Sequence, residues 1–456
     1  MHPFHGEGAQ LSHCRLVRKK SNFRFSSPGE ERKAIIQLAG EREMTVAMTA
    51  STTMGIPQVK TAAQRAFWMV TLLVSGTCIG GGMLALPVQT AQAGLVLSLI
   101  GLFVCWAFMT YTGLLLVEAT LWVKNETHFS SLSRILVGNK TKVLALLVYL
   151  FMNYSSLVAY TAGGAALIVH HLQVHLGLVI SYEMGCLLFT LMFGSLIYLG
   201  ASLVGKLNFW FMIGLVVSYA GLIAITASQM DSYYLSAQMP WSQGASIFSI
   251  ILATFSYQMI VPSLCLQLEY DPLLCKKAVS LGTTIPLVVY ALWLLLIHGV
   301  VPIEGDDGLL AALARGASVT EPLRAQFHHW SFALLADAFG FFAIVTSYLG
   351  LSLALFFFLK DGFVELNISM GRHAIILSSI LPTLLLAMTF PDALVRCLDL
   401  SGGYGDTILS GLIPIAMVWM GRYRKGLESS FVVAGGRPAL VVAALFYLVI
   451  LGLQLG

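Results

Sequence analysis

Charged side chains are scarce in this chain of 456 residues. Lys, Arg, Asp and Glu together make up 11% of the sequence and hydrophobic residues 57%, whereas a soluble domain carries about 25% charged residues. A water-soluble globule could not cover its surface with so few charges. The scarcity therefore excludes a soluble enzyme, a nucleic-acid-binding protein and a disordered regulator. It favours a polytopic membrane protein in contact with the lipid bilayer.

Several chemical motifs are also missing. The sequence has no G-x-x-x-x-G-K-[ST] loop, so the chain does not drive transport by its own ATP hydrolysis. Its seven cysteines form no C-x-x-C pair, which predicts reduced cysteines that serve packing. No apolar segment holds paired His, Asp or Glu residues. Neither a membrane-embedded enzyme nor a metal site or cofactor is therefore expected.

Basic residues are concentrated in the first 65 positions, which contain no long apolar run. The hydrophobic segment and small-residue cleavage site of a signal peptide do not follow them. We interpret residues 1–65 as a disordered basic cytoplasmic tail. A solvated tail is favoured over a segment that binds nucleic acid or anionic lipid.

Apolar runs long enough for an α-helix to cross a bilayer, about 20 residues, recur from Phe67 onward. The alternating pattern of membrane β-strands is not seen. The predicted fold is therefore an all-α polytopic membrane protein. We predict eleven transmembrane helices, at 67–92, 95–118, 143–169, 179–199, 207–228, 245–267, 280–301, 330–359, 373–390, 402–420 and 438–455.

The distribution of Lys and Arg between these helices predicts their orientation. Only Arg315, Arg324 and Arg396 lie in the gaps on one side, and the other basic residues lie in the tail or in gaps on the tail's side. Cytoplasmic loops carry an excess of Lys and Arg. The N-terminus is therefore expected in the cytoplasm and the C-terminus on the opposite side.

Glycines interrupt the first predicted helix. The run GTCIGGGM at 76–83 is followed by Pro87, and glycine fills poorly a helix that must satisfy its own backbone in lipid. Close helix packing on small residues is one interpretation. The other is an unwound break whose freed N–H groups and half-helix N-terminus bind a carboxylate. Its candidate residues are Gly76, Thr77, Ile79, Gly80, Gly81 and Gly82.

The sixth predicted helix carries a second candidate break. The run FSYQMIVPS at 255–263 places polar side chains and a proline in mid-span, and proline removes a helical hydrogen bond. The candidate residues are Phe255, Ser256, Tyr257 and Gln258. Breaks five helices apart are typical of two inverted five-helix repeats with a binding site between them.

Polar residues form stripes on two other predicted helices. Asn153, Ser156 and Tyr160 share one face of the third helix, and Thr346 and Ser347 lie on the eighth. Serine and threonine hydroxyls commonly bond to their own helix backbone. A structural interpretation of each stripe therefore stays open beside a functional one.

Three acidic residues lie in or beside the predicted helices, namely Glu118, Asp337 and Asp406. Ionisable groups inside a membrane are costly and are functional hypotheses by default. We interpret the three as candidates for coupling or gating, with the alternative that each lies at the interface and reaches water.

Several of these motifs together resemble those of the bacterial hydroxy/aromatic amino acid permease family. They are the glycine run continued to Pro87, Ala159-Tyr160, Pro262-Ser263, the run PLVVY at 286–290 before Trp293, the run TSYLG at 346–350, and Ile413-Pro414 ahead of Arg422-Tyr423. The resemblance covers about residues 66–455 and leaves the tail unexplained.

The resemblance implies a leucine-transporter-like fold of the amino acid–polyamine–organocation superfamily, with 5+5 inverted repeats and one more helix. The segments are then the tail (1–65), repeat 1 (66–228), an extracytoplasmic loop (229–244), repeat 2 (245–420), and a cytoplasmic loop with the last helix (421–456). It also implies a multi-pass protein of the bacterial inner membrane with a periplasmic C-terminus. Its function would be import of L-tyrosine, tryptophan or a hydroxy amino acid by proton symport, with Na+ as an open alternative.

Residue by residue, the resemblance implies that the backbone of 77–82 holds the substrate carboxylate and that Tyr160 closes over it. Phe255, Ser256 and Tyr257 would line the amino and side-chain end. Thr346 and Ser347 stand where sodium-coupled relatives bind an ion. Gln258 departs from the histidine expected there in many relatives, which puts proton coupling through this position in doubt. A permease for serine, threonine or another neutral amino acid, or a channel, stays open.

Overall fold

Long apolar α-helices make up most of the part of the chain that the computed structural model describes, which is residues 56–124, 128–235, 247–326, 330–365 and 367–455. The predicted tail up to residue 55 and most of the predicted loop at 229–244 lie outside these residues. The helices are α1 Ile56–Cys78, α2 Gly82–Thr90, α3 Gly94–Trp122, α4 Phe129–Leu136, α5 Asn139–Leu176, α6 Tyr182–Phe189, α7 Leu196–Leu199, α8 Ala201–Thr226, α9 Ser232–Leu235, α10 Ile247–Thr254, α11 Val261–Gln267, α12 Pro272–Val300, α13 Leu309–Ala314, α14 Thr320–Gln326, α15 Trp330–Glu365, α16 Arg372–Thr389, α17 Ala393–Leu400, α18 Ile413–Tyr423 and α19 Gly436–Leu455. Two π-helical segments, Thr190–Gly194 and Ser401–Leu412, join helices on either side of them.

Nine helical stretches of the described residues are long and apolar enough to cross a membrane. They coincide with nine of the eleven predicted helices, and the first and tenth fall outside this set. The first is divided between α1 and α2, and α2 runs on through a 3-10 turn into α3. The tenth consists of α17, the π-helix Ser401–Leu412 and α18.

The outward faces of these helices are apolar. On α8, Phe209, Trp210, Val216 and Val217 are each 61–67% exposed. Contiguous exposed apolar surface of this kind is unfavourable in water. These helices therefore contact lipid, which makes the chain a multi-pass membrane protein.

The interrupted helices, which are the first, sixth and tenth predicted ones, pack against one another. Residues Ala66–Gly456 form one compact unit with a continuous hydrophobic core. Within it, α10 packs against α2, α3 and the π-helix Ser401–Leu412, and α5 packs against α15, α17 and the same π-helix. Helix α10 and the π-helix thus pack against each other, and the long helices α3 and α5 pack beside them.

Candidate functional site

The first break lies where the glycine run predicts it. Helix α1 ends at Cys78 and α2 begins at Gly82, so three residues between them are not helical. The Gly81 N–H donates a hydrogen bond to Ser347 Oγ of α15 at 2.8 Å. A Cβ at Gly81 would overlap the Tyr160 ring, so only glycine fits there. Tyr160, which is 7% exposed and interacts with Ser347, covers the break from α5.

The second break is held against α3. Helix α10 ends at Thr254 and α11 begins at Val261, and Pro262 occupies the first turn, where its missing N–H costs nothing. Both Tyr257 Oη and Gln258 Nε2 donate to the Met109 carbonyl, at 3.0 and 3.2 Å. Gln258 is 1% exposed. It therefore ties the break to α3.

Tyr290 of α12 joins the two breaks. Its hydroxyl lies 2.6 Å from the Cys78 carbonyl oxygen and 3.1 Å from that of Thr254. These two carbonyls end α1 and α10, and carbonyls at a helix end have no partner within the helix. The Phe255 ring packs edge-on against Tyr290 with centroids 5.4 Å apart. In the sequence, Tyr290 stands out only as the last residue of the PLVVY run at 286–290. Its place in an apolar span could have indicated this role, because a buried tyrosine hydroxyl usually finds a hydrogen-bond partner.

Other predicted site residues are occupied within their own helices. The hydroxyls of Thr77 and Thr346 donate to Leu73 O and Phe342 O, each at 2.7 Å. Asn153 Nδ2 likewise donates to Tyr149 O at 2.8 Å. These contacts favour the structural interpretation for the two threonines, whereas Asn153 Oδ1 is buried without a hydrogen-bond partner among the described residues. Thr77 is exposed, in contrast to the buried glycines after it.

The remaining predicted residues of the first break differ in their surroundings. A Cβ at Gly80 would lie 2.5 Å from Ser347 Oγ, and one at Gly82 would lie 3.1 Å from Thr254 Cγ2 of the second break. No described atom lies within 4 Å of the Cβ position at Gly76. Ile79 is half-buried. The structure therefore brings Gly80, Gly81 and Gly82 to the contact between helices and leaves Gly76 outside it.

Asp406 lies on the π-helix and is fully buried, which corrects the alternative that it reaches water. Ser410 Oγ donates to Asp406 Oδ1 at 2.7 Å, and Ser256 of the second break also interacts with this carboxyl group. Oδ2 has no hydrogen-bond partner among the described residues. Of the three predicted acidic residues, Asp406 is thus the one that the structure places beside the second break. The sequence pattern alone could not predict this contact.

Glu118 is also fully buried, so the alternative that it reaches water is wrong for this residue too, but its partners are complete. Arg422 pairs with both Glu118 oxygens, through Nε at 2.6 Å and through NH2. The Val433 N–H donates to Glu118 Oε2 at 2.8 Å. Arg422, predicted in a loop, instead lies in the last turn of α18 with its side chain 10% exposed. Glu118 therefore joins α3, α18 and the loop after it.

Asp337 of α15 forms an ion pair with Arg324 of α14, and His171 Nε2 of α5 lies 3.6 Å from its second oxygen. Its side chain is 7% exposed. This cluster joins three helices at the end of the molecule that carries α13 and α14. It lies apart from the two breaks, which are joined by Tyr290.

A cavity of about 600 Å³ opens at the same end. Its walls include Ala162 and Gly163, which lie within one turn of Tyr160 on α5, and charged residues of the α13–α14 region. The Val319 N–H donates to the Leu84 carbonyl of α2 at 3.0 Å. The segment before α14, which also lines the cavity, is therefore bonded to α2.

Comparisons with known proteins give this geometry a context. A sequence model of the tryptophan/tyrosine permease family matches residues 63–454. The chain is 27% identical over 378 residues to tyrosine-specific transport system 1 of Haemophilus influenzae, covering 82% of this chain and 92% of that protein. It is 27% identical over 399 residues to the tryptophan-specific transport protein of the same species, covering 84% and 94%. It is 27% identical over 388 residues to the low affinity tryptophan permease of Escherichia coli K12, covering 83% and 92%.

The family match includes both breaks and every residue named at them. The resemblance to aromatic amino acid permeases seen in the sequence is therefore confirmed. The relatives named above are transport proteins and span almost their whole length in the comparison. The chain belongs to the tryptophan/tyrosine permease family.

Proposed function

We propose that this protein imports an aromatic amino acid, tyrosine or tryptophan, across the bacterial inner membrane. The observation that carries the proposal is the meeting of two interrupted helices beneath Tyr160, with Tyr290 bonded to the free carbonyls of both. Interrupted membrane helices supply unpaired backbone groups at mid-membrane, which suit the two charged ends of an amino acid. The names of its relatives support an aromatic substrate.

The proposed architecture is the leucine-transporter-like fold with 5+5 inverted repeats and an eleventh helix. Its support is that the interruptions fall in the first and sixth predicted helices, one repeat apart. Five helices per repeat invert the second copy in the membrane. The N-terminus is then cytoplasmic and the C-terminus periplasmic, as the distribution of Lys and Arg predicts.

The substrate carboxylate would bind the N–H groups at the start of α2. In this structure the Gly81 N–H is bonded to Ser347 Oγ, so Ser347 holds the position that a carboxylate oxygen would take. The positive end of the α2 dipole favours an anion at this place. The aromatic ring of the substrate would then pack against Phe255 and Tyr257, both buried beside the second break.

Alternating access would move the substrate from one side to the other. The segment before α14 is bonded to α2 through Val319 and Leu84, so its release would connect the 600 Å³ cavity to the first break. That cavity is then the periplasmic vestibule. We propose proton symport as the driving reaction, with the three buried acidic residues as the candidate coupling groups.

Uptake of labelled tyrosine into proteoliposomes tests the proposal. We expect saturable uptake under an inward proton gradient, inhibited by excess unlabelled tryptophan and not by serine or threonine. Inhibition by serine and threonine alone would indicate another neutral amino acid as the substrate. Flux that does not saturate would indicate a channel, and no uptake under any ion gradient would contradict the proposal.

A further inference from the structure

We propose that Asp406 is the group that carries the coupling proton of this transporter. The proposal rests on the function proposed above, and it adds to that function a single protonation site at the contact between the second break and the π-helix Ser401–Leu412. Each transport cycle would bind one proton from the outer solution to the Asp406 carboxylate and release it to the inner solution.

Asp406 is a buried acid whose hydrogen bonding is incomplete. Asp406 has no exposed surface, Ser410 donates a hydrogen bond to its Oδ1, and its Oδ2 has no hydrogen-bond partner among the described residues, although Ser256 interacts with the carboxyl group. Burying an ionised carboxylate without a cation costs several kcal/mol. A proton on Oδ2 removes that cost and makes this atom a donor. The geometry therefore favours the protonated acid in the state seen here.

Asp406 also has no ion pair with a described cation, whether Lys, Arg or His. The titratable groups that interact with it are the Cys78 thiol at the first break and the Tyr447 phenol of α19. Among the charged side chains of the helices packed around it, Glu118 pairs with Arg422, Arg396 with Asp392 and Arg437 with Tyr423, and Asp399 accepts hydrogen bonds from Ser249 and Gln454. No nearby cation therefore fixes Asp406 in its ionised form.

The π-helix that carries Asp406 is closely packed against its neighbours. A Cβ added at Gly402 would overlap the Ser249 carbonyl oxygen, one at Gly405 would overlap Met152, and one at Gly411 would overlap Tyr447. The π-helix is packed this closely on three sides, so a hydrated sodium ion does not fit without movement. A proton adds no volume. The packing therefore favours a proton over Na+ as the ion bound here.

Asp406 interacts with residues of both breaks. Ser256, which interacts with Asp406, belongs to the second break, and Cys78 ends α1 at the first. A charge on Asp406 is thus felt at both helix ends that would hold the substrate. π-Helical segments are rare and frequently lie at functional sites. Protonation of Asp406 and binding of substrate would therefore influence each other.

Asp399 provides a matched control, since it lies one helical segment earlier on α17. Ser249 Oγ donates to its Oδ1, and Gln454 Nε2 donates to its Oδ2 at 3.0 Å. Both oxygens of this acid are therefore satisfied by hydrogen bonds. It should stay in one protonation state while Asp406 changes.

The experiment compares wild-type protein, Asp406→Asn and Asp399→Asn in proteoliposomes that contain a pH-sensitive dye. Asparagine imitates the protonated acid, so Asp406→Asn should lower tyrosine-driven acidification by about tenfold or more while tyrosine counterflow stays within about twofold. Asp399→Asn should keep both activities. Tyrosine-driven acidification by Asp406→Asn at the wild-type rate would overturn the proposal, as would its loss in Asp399→Asn alone.

Two further measurements keep the proposal testable if Asp406→Asn does not fold. Ser410→Ala removes the hydroxyl that stabilises the carboxylate, so the pH of half-maximal uptake should rise; an unchanged pH profile would overturn the proposal. Loss of acidification in His298→Gln, which alters another buried side chain without a described partner, would overturn it too.

The failure of this proposal and of the proposed function are distinguishable. Wild-type uptake of tyrosine that follows a sodium gradient and not a pH gradient would leave the function standing and remove Asp406 as a proton site. The absence of tyrosine and tryptophan uptake by the wild type under every gradient would overturn both.

Discussion

Glu118 and Asp406 are both fully buried carboxylic acids, yet their surroundings differ in one decisive respect. Glu118 receives hydrogen bonds from the Arg422 guanidinium and the Val433 N–H. Asp406 accepts a hydrogen bond from Ser410 and interacts with Ser256, but it has no cation and its Oδ2 has no hydrogen-bond partner among the described residues. A buried ion is tolerated when its partners are complete and is costly when they are not. Burial alone therefore does not distinguish the two acids, whereas the completeness of their partners does.

The largest expected effect is on stability, at the completely paired acid. Arg422→Ala leaves Glu118 buried without its cation, and breaking a buried pair in this way costs about 3–5 kcal/mol. The melting temperature of the purified protein in detergent should fall accordingly. The double variant Glu118→Leu/Arg422→Met removes both charges and should recover much of the loss. A single variant as stable as the wild type would show that the pair contributes nothing.

The sequence could predict the breaks but not this pair. Glycine and proline act locally, so the interruptions at 76–82 and 255–262 could be inferred from propensity alone. The Glu118–Arg422 contact joins positions 304 apart in the chain, and the rule that places Arg in loops predicted the wrong environment for Arg422. The resemblance places Ser347 where sodium-coupled relatives bind an ion, but its contact with the Gly81 N–H depends on how α15 packs. Such long-range contacts leave no trace in local composition.

The second prediction concerns the first break. Gly81→Ala places a methyl group inside the Tyr160 ring position, and overpacking of this kind costs about 1–3 kcal/mol. Tyrosine uptake should fall by about tenfold or more, since tenfold corresponds to about 1.4 kcal/mol. Gly76→Ala is the matched control, because no described atom lies within 4 Å of that position. Equal uptake by the two variants would contradict the close contact of Tyr160 with the break.

The third prediction concerns the link between the breaks. Tyr290→Phe removes the hydroxyl shared by the Cys78 and Thr254 carbonyls, which should lower the free energy of unfolding by about 1 kcal/mol. The apparent affinity for tyrosine should fall as well, because the two helix ends are no longer joined. Tyr111→Phe is the control, since the Tyr111 hydroxyl has no hydrogen-bond partner among the described residues. Unchanged affinity in Tyr290→Phe would mean that the link has no role in binding.

The smallest effect is expected at Thr346. Its hydroxyl is bonded to Phe342 O of its own helix, so Thr346→Val should change tyrosine affinity by less than about 0.5 kcal/mol. Ser347→Ala removes the partner of the Gly81 N–H and should change affinity by more. Isothermal titration of both variants with tyrosine makes the comparison. A larger effect at Thr346 than at Ser347 would point to an ion site at Thr346 instead.

The most direct test of the account records labelled tyrosine uptake and internal pH in the same wild-type proteoliposomes. A proton-coupled aromatic amino acid permease should acidify the interior in proportion to the tyrosine that enters, and a proton ionophore should abolish accumulation. Tyrosine that accumulates without any change of internal pH, and independently of the ionophore, would contradict the account.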